Sequence, residues 1–322
     1  MRDQPEMPVD PLSDVLSLSS VDGVLSARFE GRGAWSMRFP GYRHLKFGGV
    51  LQGAMWLWAD ETAATPVRLQ VGDVYLLTSG HPYRTASAVD LSPIDGRAVF
   101  REGLGPDGVV RYGSEGDATV VTGGRFTFAD DASGMLLGLL PPVVHIPATS
   151  PAAAPLRAAL DFVGFETGAN RPGARVMNGA LGTLVLVHIL RAHLISEDAM
   201  PGWLGALADP RIGPVLGLLH GDPARRWCVA EMARAAGMSR TAFNGRFIAK
   251  VGTSPLDYLI RWRMAVASAA LRTGEQKLAD IAVKVGYASE SAFSMAFKRL
   301  HNESPGRHRS ANRGRRDRTI GG

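Results

Sequence analysis

Residues 230–255 read AEMARAAGMSRTAFNGRFIAKVGTSP, and residues 279–305 read ADIAVKVGYASESAFSMAFKRLHNESP. The second stretch repeats the first at an offset of 49 residues, which becomes 50 before Phe293: Ala233, Gly237, Phe243, Phe247 and Ser254-Pro255 return as Ala282, Gly286, Phe293, Phe297 and Ser304-Pro305. In each copy an alanine stands four residues before a glycine. A methyl side chain lets two helices cross closely, and a glycine accepts the positive φ of the turn between them. The spacing predicts two helix-turn-helix units in tandem.

The second helix of each unit has two distinct faces. With Phe243 buried, Phe247 falls beside it, while Thr241, Gly245 and Ile248 point away, flanked by Asn244. The same projection from Phe293 buries Phe297 and turns out Ser291, Met295 and Lys298, flanked by Ser294 and Arg299. An apolar back and a largely polar front suit a helix that rests on its own protein and enters a major groove. Ser254-Pro255 is a cap followed by proline at the first helical position, and it opens an apolar-periodic run from Leu256 to Leu271. That helix would join the two units into one body, presenting the reading helices to successive major-groove faces roughly 34 Å apart.

Paired phenylalanines at i and i+4 would equally serve a helical bundle that binds nothing, so charge decides. Residues 221–322 hold 19 Lys and Arg against 8 Asp and Glu, whereas residues 1–220 hold 17 against 22, in a chain of net charge +6. The positive excess lies on the segment that carries the repeat, as attraction to phosphate requires. The basic run from Arg307 to Arg318 is rich in small polar residues and is not expected to fold alone.

Residues 221–309 resemble the DNA-binding region of AraC/XylS-type bacterial transcription regulators. The resemblance is carried by Ala230-Glu231-Met232-Ala233, Gly237-Met238-Ser239, Arg246-Phe247, Tyr258 and Trp262-Arg263-Met264-Ala265, then by Val285-Gly286-Tyr287, Ser289 to Phe293 and Ala296-Phe297-Lys298-Arg299. It implies promoter DNA and RNA polymerase as partners, and base contacts from Thr241, Asn244 and Gly245 in the first helix and Ser291, Ser294 and Met295 in the second. Arg240, Arg246, Ser289, Glu290, Lys298 and Arg299 complete the candidate DNA-binding set. Gly245 departs from the pattern because it has no side chain to read with, which shifts the first helix's reading toward Arg240, Thr241 and Asn244.

Upstream the chain changes character. β-prone runs at Val24–Phe29, Ala34–Phe39, Ala54–Trp58, Asp73–Leu77 and Arg125–Phe128 alternate with Gly, Pro and Asp, predicting a small antiparallel barrel or jelly roll. Phe39 to His44, Gly72 to Leu77, Gly124-Arg125-Phe126 and Leu139 to His145 resemble the cupin-type sensor domain of one AraC-like subgroup, over roughly residues 9–195. The expected fold class is α+β multidomain: an N-terminal cupin-like β-barrel, a helical linker and a C-terminal all-α double helix-turn-helix. The expected boundaries are 1–147 for the sensor domain, its first ~12 residues without defined structure, 148–220 for the linker, 221–309 for the DNA-binding domain and 310–322 for a basic tail.

A barrel mouth can bind a small effector, and Lys46, Gln52, Trp56, Trp58, His81 and Tyr83 are the candidate lining residues. Trp56 and Trp58 share one face of a strand and could instead fill the core. Cupins can also be metalloenzymes, so a cupin enzyme fused to a DNA-binding module is the alternative reading. A facial metal site needs about three converging ligands. His44 and His81 stand alone, and Tyr83 sits where relatives of the subgroup carry histidine. No metal, cofactor or catalytic residue is therefore assigned.

The one cysteine, Cys228, permits neither an intramolecular disulfide nor a cysteine cluster, and burial is its expected role. The most apolar stretch, Leu181–Leu194, is interrupted by His188, Arg191 and His193, which argues against a membrane span. With no apolar signal region near the N-terminus, a cytoplasmic protein is expected. Residues 173–196 read as an amphipathic helix that either pairs with its copy in a homodimer or packs on the chain's own barrel.

Overall fold

The computed structural model describes residues 10–18, 21–42, 45–60, 65–128, 140–167, 172–195, 202–274 and 276–311. The chain divides into two compact units. Among the described residues, those within 21–128 and 140–195 form the first, while the second takes in 10–18, 202–274 and 276–311. Among the described residues no helix is long and apolar enough to cross a membrane.

The chain opens with α1 (Pro11–Leu18), which belongs to the second unit. The first unit then builds two sheets. One has six strands in the order β11 (Val143–Ile146), β6 (Val74–Leu77), β3 (Lys46–Gln52), β10 (Ala118–Phe128), β1 (Val21–Arg32) and β9 (Val109–Tyr112). The other has five: β5 (Val67–Gln70), β4 (Ala54–Ala59), β7 (Tyr83–Ala86), β2 (Ser36–Phe39) and β8 (Ile94–Asp95). Neighbours run antiparallel except β1 with β9 and β2 with β8. Inner faces of both sheets meet in one core, to which the first sheet gives Phe29, Val50, Tyr75, Leu77, Val110 and Val121 and the second gives Met37, Phe39, Met55, Leu57, Leu69 and Tyr83. This is a two-sheet sandwich of jelly-roll type, open at its sheet edges, as the alternation of short strands requires.

The Gly48-Gly49 pair reads poorly as strand, yet it lies at the centre of β3. A Cβ on Gly48 would come within 2.5 Å of Tyr75 Oη, and one on Gly49 within 2.7 Å of Leu160 Cδ1. The first glycine seats a core tyrosine on the inner face. The second lets helix α3 (Ala153–Thr167) close on the outer face, which it covers together with α4 (Ala174–Ile195). Val185, Leu186, Ile189 and Leu190 of α4 are buried. Of the two roles expected for this helix, packing on the chain's own sheet is therefore filled. The described residues of 148–195, expected as part of a linker, group with the sandwich.

Among the described residues the second unit is helical: besides α1 it holds α5 (Trp203–Leu207), α6 (Gly213–Gly221), α7 (Val229–Ala235), α8 (Arg240–Val251), α9 (Pro255–Thr273), α10 (Leu278–Lys284), α11 (Glu290–His301) and a final helix over 305–311. The boundary expected at residue 221 moves back, because Trp203, Leu204, Ile212, Val215, Leu216 and Leu219 are fully buried within this unit. Leu12 and Val15 of α1 are buried too, where α1 meets α6 and α9.

Candidate nucleic-acid interface

Each repeat folds as the sequence predicts. Gly237 and Gly286 adopt φ of 63° and 79°, and each turn closes with the same pair of backbone bonds: Gly237 N to Arg234 O and Met238 N to Ala233 O, then Gly286 N to Val283 O and Tyr287 N to Ala282 O. The amide bonds satisfy carbonyls left free by the first helix of each unit, which is why the turn is compact and repeatable. Ser239 and Ser289 cap the second helices, their hydroxyls accepting from Ala242 N at 3.3 Å and Ala292 N at 3.2 Å.

On α8, Phe243, Phe247 and Val251 are buried, Arg240, Thr241, Gly245 and Ile248 are exposed, and Asn244 is half-buried. On α11, Phe293 and Phe297 are buried, Glu290, Ser291, Met295, Lys298 and Arg299 are exposed, and Ser294 is half-buried. The projected faces and the observed ones agree. Met295 is 70% exposed, a high value for an apolar side chain that has no role within the fold. Around Gly245 a Cβ would meet nothing within 4 Å, so the fold does not demand a glycine there.

Two members of the candidate set have structural work. Ser289 is a cap. Arg246 turns back from the outward face to Asp209 in the α5–α6 connection, with Nη2 2.8 Å and Nε 3.2 Å from Oδ2, and the Asp209 carboxylate is only 4% exposed. The same carboxylate accepts from the amides of Arg211 and Ile212; burial works to raise its pKa, but the Arg246 hydrogen bonds and charge, with these amides, hold it below the usual carboxylate range. Assigning Arg246 to DNA overlooked this strut, because the acid lies 37 residues upstream in a segment read as linker. Arg211 adds a second tie, donating to Ala236 O at the turn.

Helix α9 carries both readers. Ser254 caps it and Tyr258 meets Phe247 ring to ring at 5.9 Å, while Met264, Ala267 and Leu271 share a core with Ile281, Ala282, Val285, Phe293 and Phe297. Arg263 donates to the carbonyls of Pro223 and Arg225. Sequence reading also missed a buried chain in which Ser268 Oγ lies 2.8 Å from His308 Nε2 and His308 Nδ1 lies 2.7 Å from Glu303 Oε1. It has the order of a catalytic Ser-His-acid relay, but Ser268 is wholly buried and offers no attacking oxygen, so the chain serves to fasten helix 305–311 to α9. Arg309, expected in a loose tail, donates to Gln276 O; residues 312–322 lie outside the described residues. Cys228, at the N-cap of α7, is exposed, contrary to the burial expected.

In the sandwich, the candidate effector set is divided. Lys46 and Tyr83 meet, Nζ to Oη at 3.0 Å, across the inner faces of the two sheets. Trp56 and Trp58 are corrected: along β4 it is Met55, Leu57 and Ala59 that are buried, so strand alternation sends both tryptophans to the outer face, half-buried. Gln52 is exposed at the opposite end of β3 from Lys46, in a groove of about 440 Å³ shared with Arg28, Arg157 and Asp161. His81 is exposed in the β6–β7 connection, and His44 lies outside the described residues. Among the described residues no three His, Cys, Asp or Glu side chains converge as metal ligands.

Two helix-turn-helix units on a shared helix, with exposed polar reading faces and a sandwich domain earlier in the chain, are the arrangement of a DNA-binding regulator with a second domain. A family model described as Cupin matches residues 10–195, and one described as Helix-turn-helix domain matches residues 232–311. A putative AraC-like transcription regulator of Streptomyces antibioticus is 42% identical over 302 residues, covering 94% of this chain and 98% of that protein. The HTH-type transcriptional regulator AlkR of Acinetobacter baylyi is 31% identical over 242 residues, covering 74% of this chain and 79% of its own. Among solved structures, the DNA-binding domain of AdpA in complex with a target DNA is 32% identical, covers 34% of this chain and 97% of that chain, and superposes with a TM-score of 0.32. The chain belongs to the AraC-like transcription regulators that carry a cupin domain ahead of the helix-turn-helix region.

Proposed function

We propose that this regulator reads promoter DNA through Arg240, Thr241 and Asn244 on α8 and Ser291, Ser294 and Met295 on α11, with Lys298 and Arg299 on phosphates. We further propose that a small molecule bound in the sandwich sets its activity toward RNA polymerase, and that it acts as a regulator and not as an enzyme. The observation that carries the reading is the matched pair of outward faces on α8 and α11, held by one helix core. Asn244 can present its amide to an adenine edge, whereas Lys298 at the last turn of α11 offers a sequence-blind charge. Exposed Phe162 on α3 with Val176, Met177 and Leu184 on α4 supports a homodimer formed through the outer face of the sensor unit.

The test compares operator and scrambled duplexes at several salt concentrations. Asn244→Ala is expected to cost about 1 to 3 kcal/mol on the operator and to leave scrambled DNA nearly unchanged. Lys298→Ala is expected to weaken both alike and to lower the salt slope by about one counterion. Equal loss on both duplexes for the asparagine variant, or operator-only loss for the lysine variant, would reassign the two faces.

A further inference from the structure

Lys46 is the first residue of β3, on the face that looks across to β2 and β7. Its ammonium forms no ion pair with a described carboxylate. It donates instead to Tyr83 Oη and lies 4.8 Å from the centre of the Tyr83 ring, 5.3 Å from that of Phe39 and 5.5 Å from that of Tyr42. The rings are built into place: Phe39 and Tyr83 stack at 4.7 Å, Tyr42 meets Tyr83 edge-on, and Gly96 leaves room for Phe39, since a Cβ there would sit 2.5 Å from that ring. The nearest charges reinforce the positive potential. Arg125 is the cross-strand partner of Lys46 on β10, Arg97 projects from the first turn of α2 (Gly96–Glu102), and both are exposed. Burial first, then repulsion from Arg97 and Arg125, push the Lys46 amine down to about 8.

Ring faces attract an ammonium, but three like charges on one side of a sandwich, one of them half-buried, repel one another, and among the described residues no carboxylate pairs with them. A bound anion would supply the counter-charge. We propose that this cluster is the effector-recognition point of the sensor unit and that the effector is a small organic anion, a carboxylate on a flat apolar body. The carboxylate would meet Lys46 between Arg97 and Arg125, and the body would lie against Tyr42 and the edges of Phe39 and Tyr83. This inference rests on the reading of the sandwich as a small-molecule sensor.

Calorimetric titration of the full chain with benzoate, with benzamide as its uncharged isostere, tests it. Benzoate is expected to bind, and benzamide to bind about tenfold or more weakly, the loss of one charge-assisted contact. Lys46→Met is expected to weaken benzoate about tenfold or more, and Lys46→Arg to retain it. In the unmodified protein, the side-chain resonances of Lys46 should titrate at higher pH with benzoate bound, a readout independent of whether the methionine variant folds. Equal affinity for the amide, an unaffected Lys46→Met, an unmoved Lys46 titration, or no benzoate binding at all would overturn the proposal. Operator binding measured in the same samples separates the two readings: benzoate binding that leaves DNA affinity and transcription unchanged keeps the anion site and removes its sensory role.

Discussion

At the scale of single residues, two buried contacts set expectations that the reading faces alone do not. Removing the Arg246 guanidinium leaves a nearly enclosed Asp209 carboxylate without its cation, so Arg246→Ala is expected to cost about 2 kcal/mol of stability in urea unfolding, discounted because the arginine itself is 41% exposed. Its salt slope on DNA should not change, and a slope lowered by about one would make Arg246 a phosphate contact after all. His220 is wholly enclosed, stacked on Trp262 at 3.8 Å and hydrogen-bonded to Tyr258 at 2.8 Å, and burial pushes its pKa down to about 3. Asp14 Oδ2 stands 3.5 Å from Nδ1, too distant for a strong ion pair, and burial prevails. An unfolded histidine takes up its proton near pH 6.5, whereas this one does so only near pH 3, so protons favour the unfolded chain between those values. Stability should therefore be independent of this group above about pH 6.5 and fall as pH drops toward 3, by about 1.4 kcal/mol per pH unit at the steepest. His220→Phe, which keeps the stack, should flatten that slope in urea titrations at successive pH values; an unchanged slope would mean that His220 is charged in the fold. Neither contact was legible in the sequence, because Asp209 and His220 reach partners 37 and 38 residues away through tertiary packing that no local period encodes.

At the scale of elements, legibility followed the strength of the period. The phenylalanine pairs, turn glycines and Ser-Pro caps made the two helix-turn-helix units readable residue by residue, since each signal has a fixed offset from the next. Strands β1, β2, β4, β6 and β10 were readable from β-prone runs. Strand β3 was not, since glycines that seat Tyr75 and Leu160 look like turn residues when those partners are out of view. The faces of β4 were also undecided from sequence, because a strand whose alternate residues are Met, Leu and Trp is apolar on both sides. Helices α5 and α6 fell within the expected linker, yet their buried residues extend the DNA-binding core. A fragment beginning at residue 221 lacks Trp203, Ile212, Val215, Leu216 and Leu219, each worth about 1.5 to 3 kcal/mol when buried. We expect residues 200–322 to unfold cooperatively and to bind duplex DNA with steep salt dependence, and residues 221–322 to lose cooperative unfolding by circular dichroism. Equal stability of the two fragments would make α5 and α6 dispensable.

At the scale of the whole molecule, the charge imbalance between residues 1–220 and 221–322 located the DNA-binding half before any geometry, and the resemblance to cupin sensors located the other. Composition carried no trace of the cluster around Lys46, because it is assembled from two sheets and a helix, and only the fold makes Lys46, Arg97 and Arg125 neighbours. Nor did it show that α1 belongs with the C-terminal helices. That assignment flanks the sandwich with helices of the other unit: α1 precedes β1, and α5 follows α4. Protein chains rarely come apart at one scission when a domain is stitched in at both ends. A single protease cut between α4 and α5 should yield two bands under denaturing electrophoresis while the particle keeps its native mass in solution, held by α1 on α6 and α9. Fragments that separate on sizing without denaturant would show that α1 grips too weakly to act as a second seam.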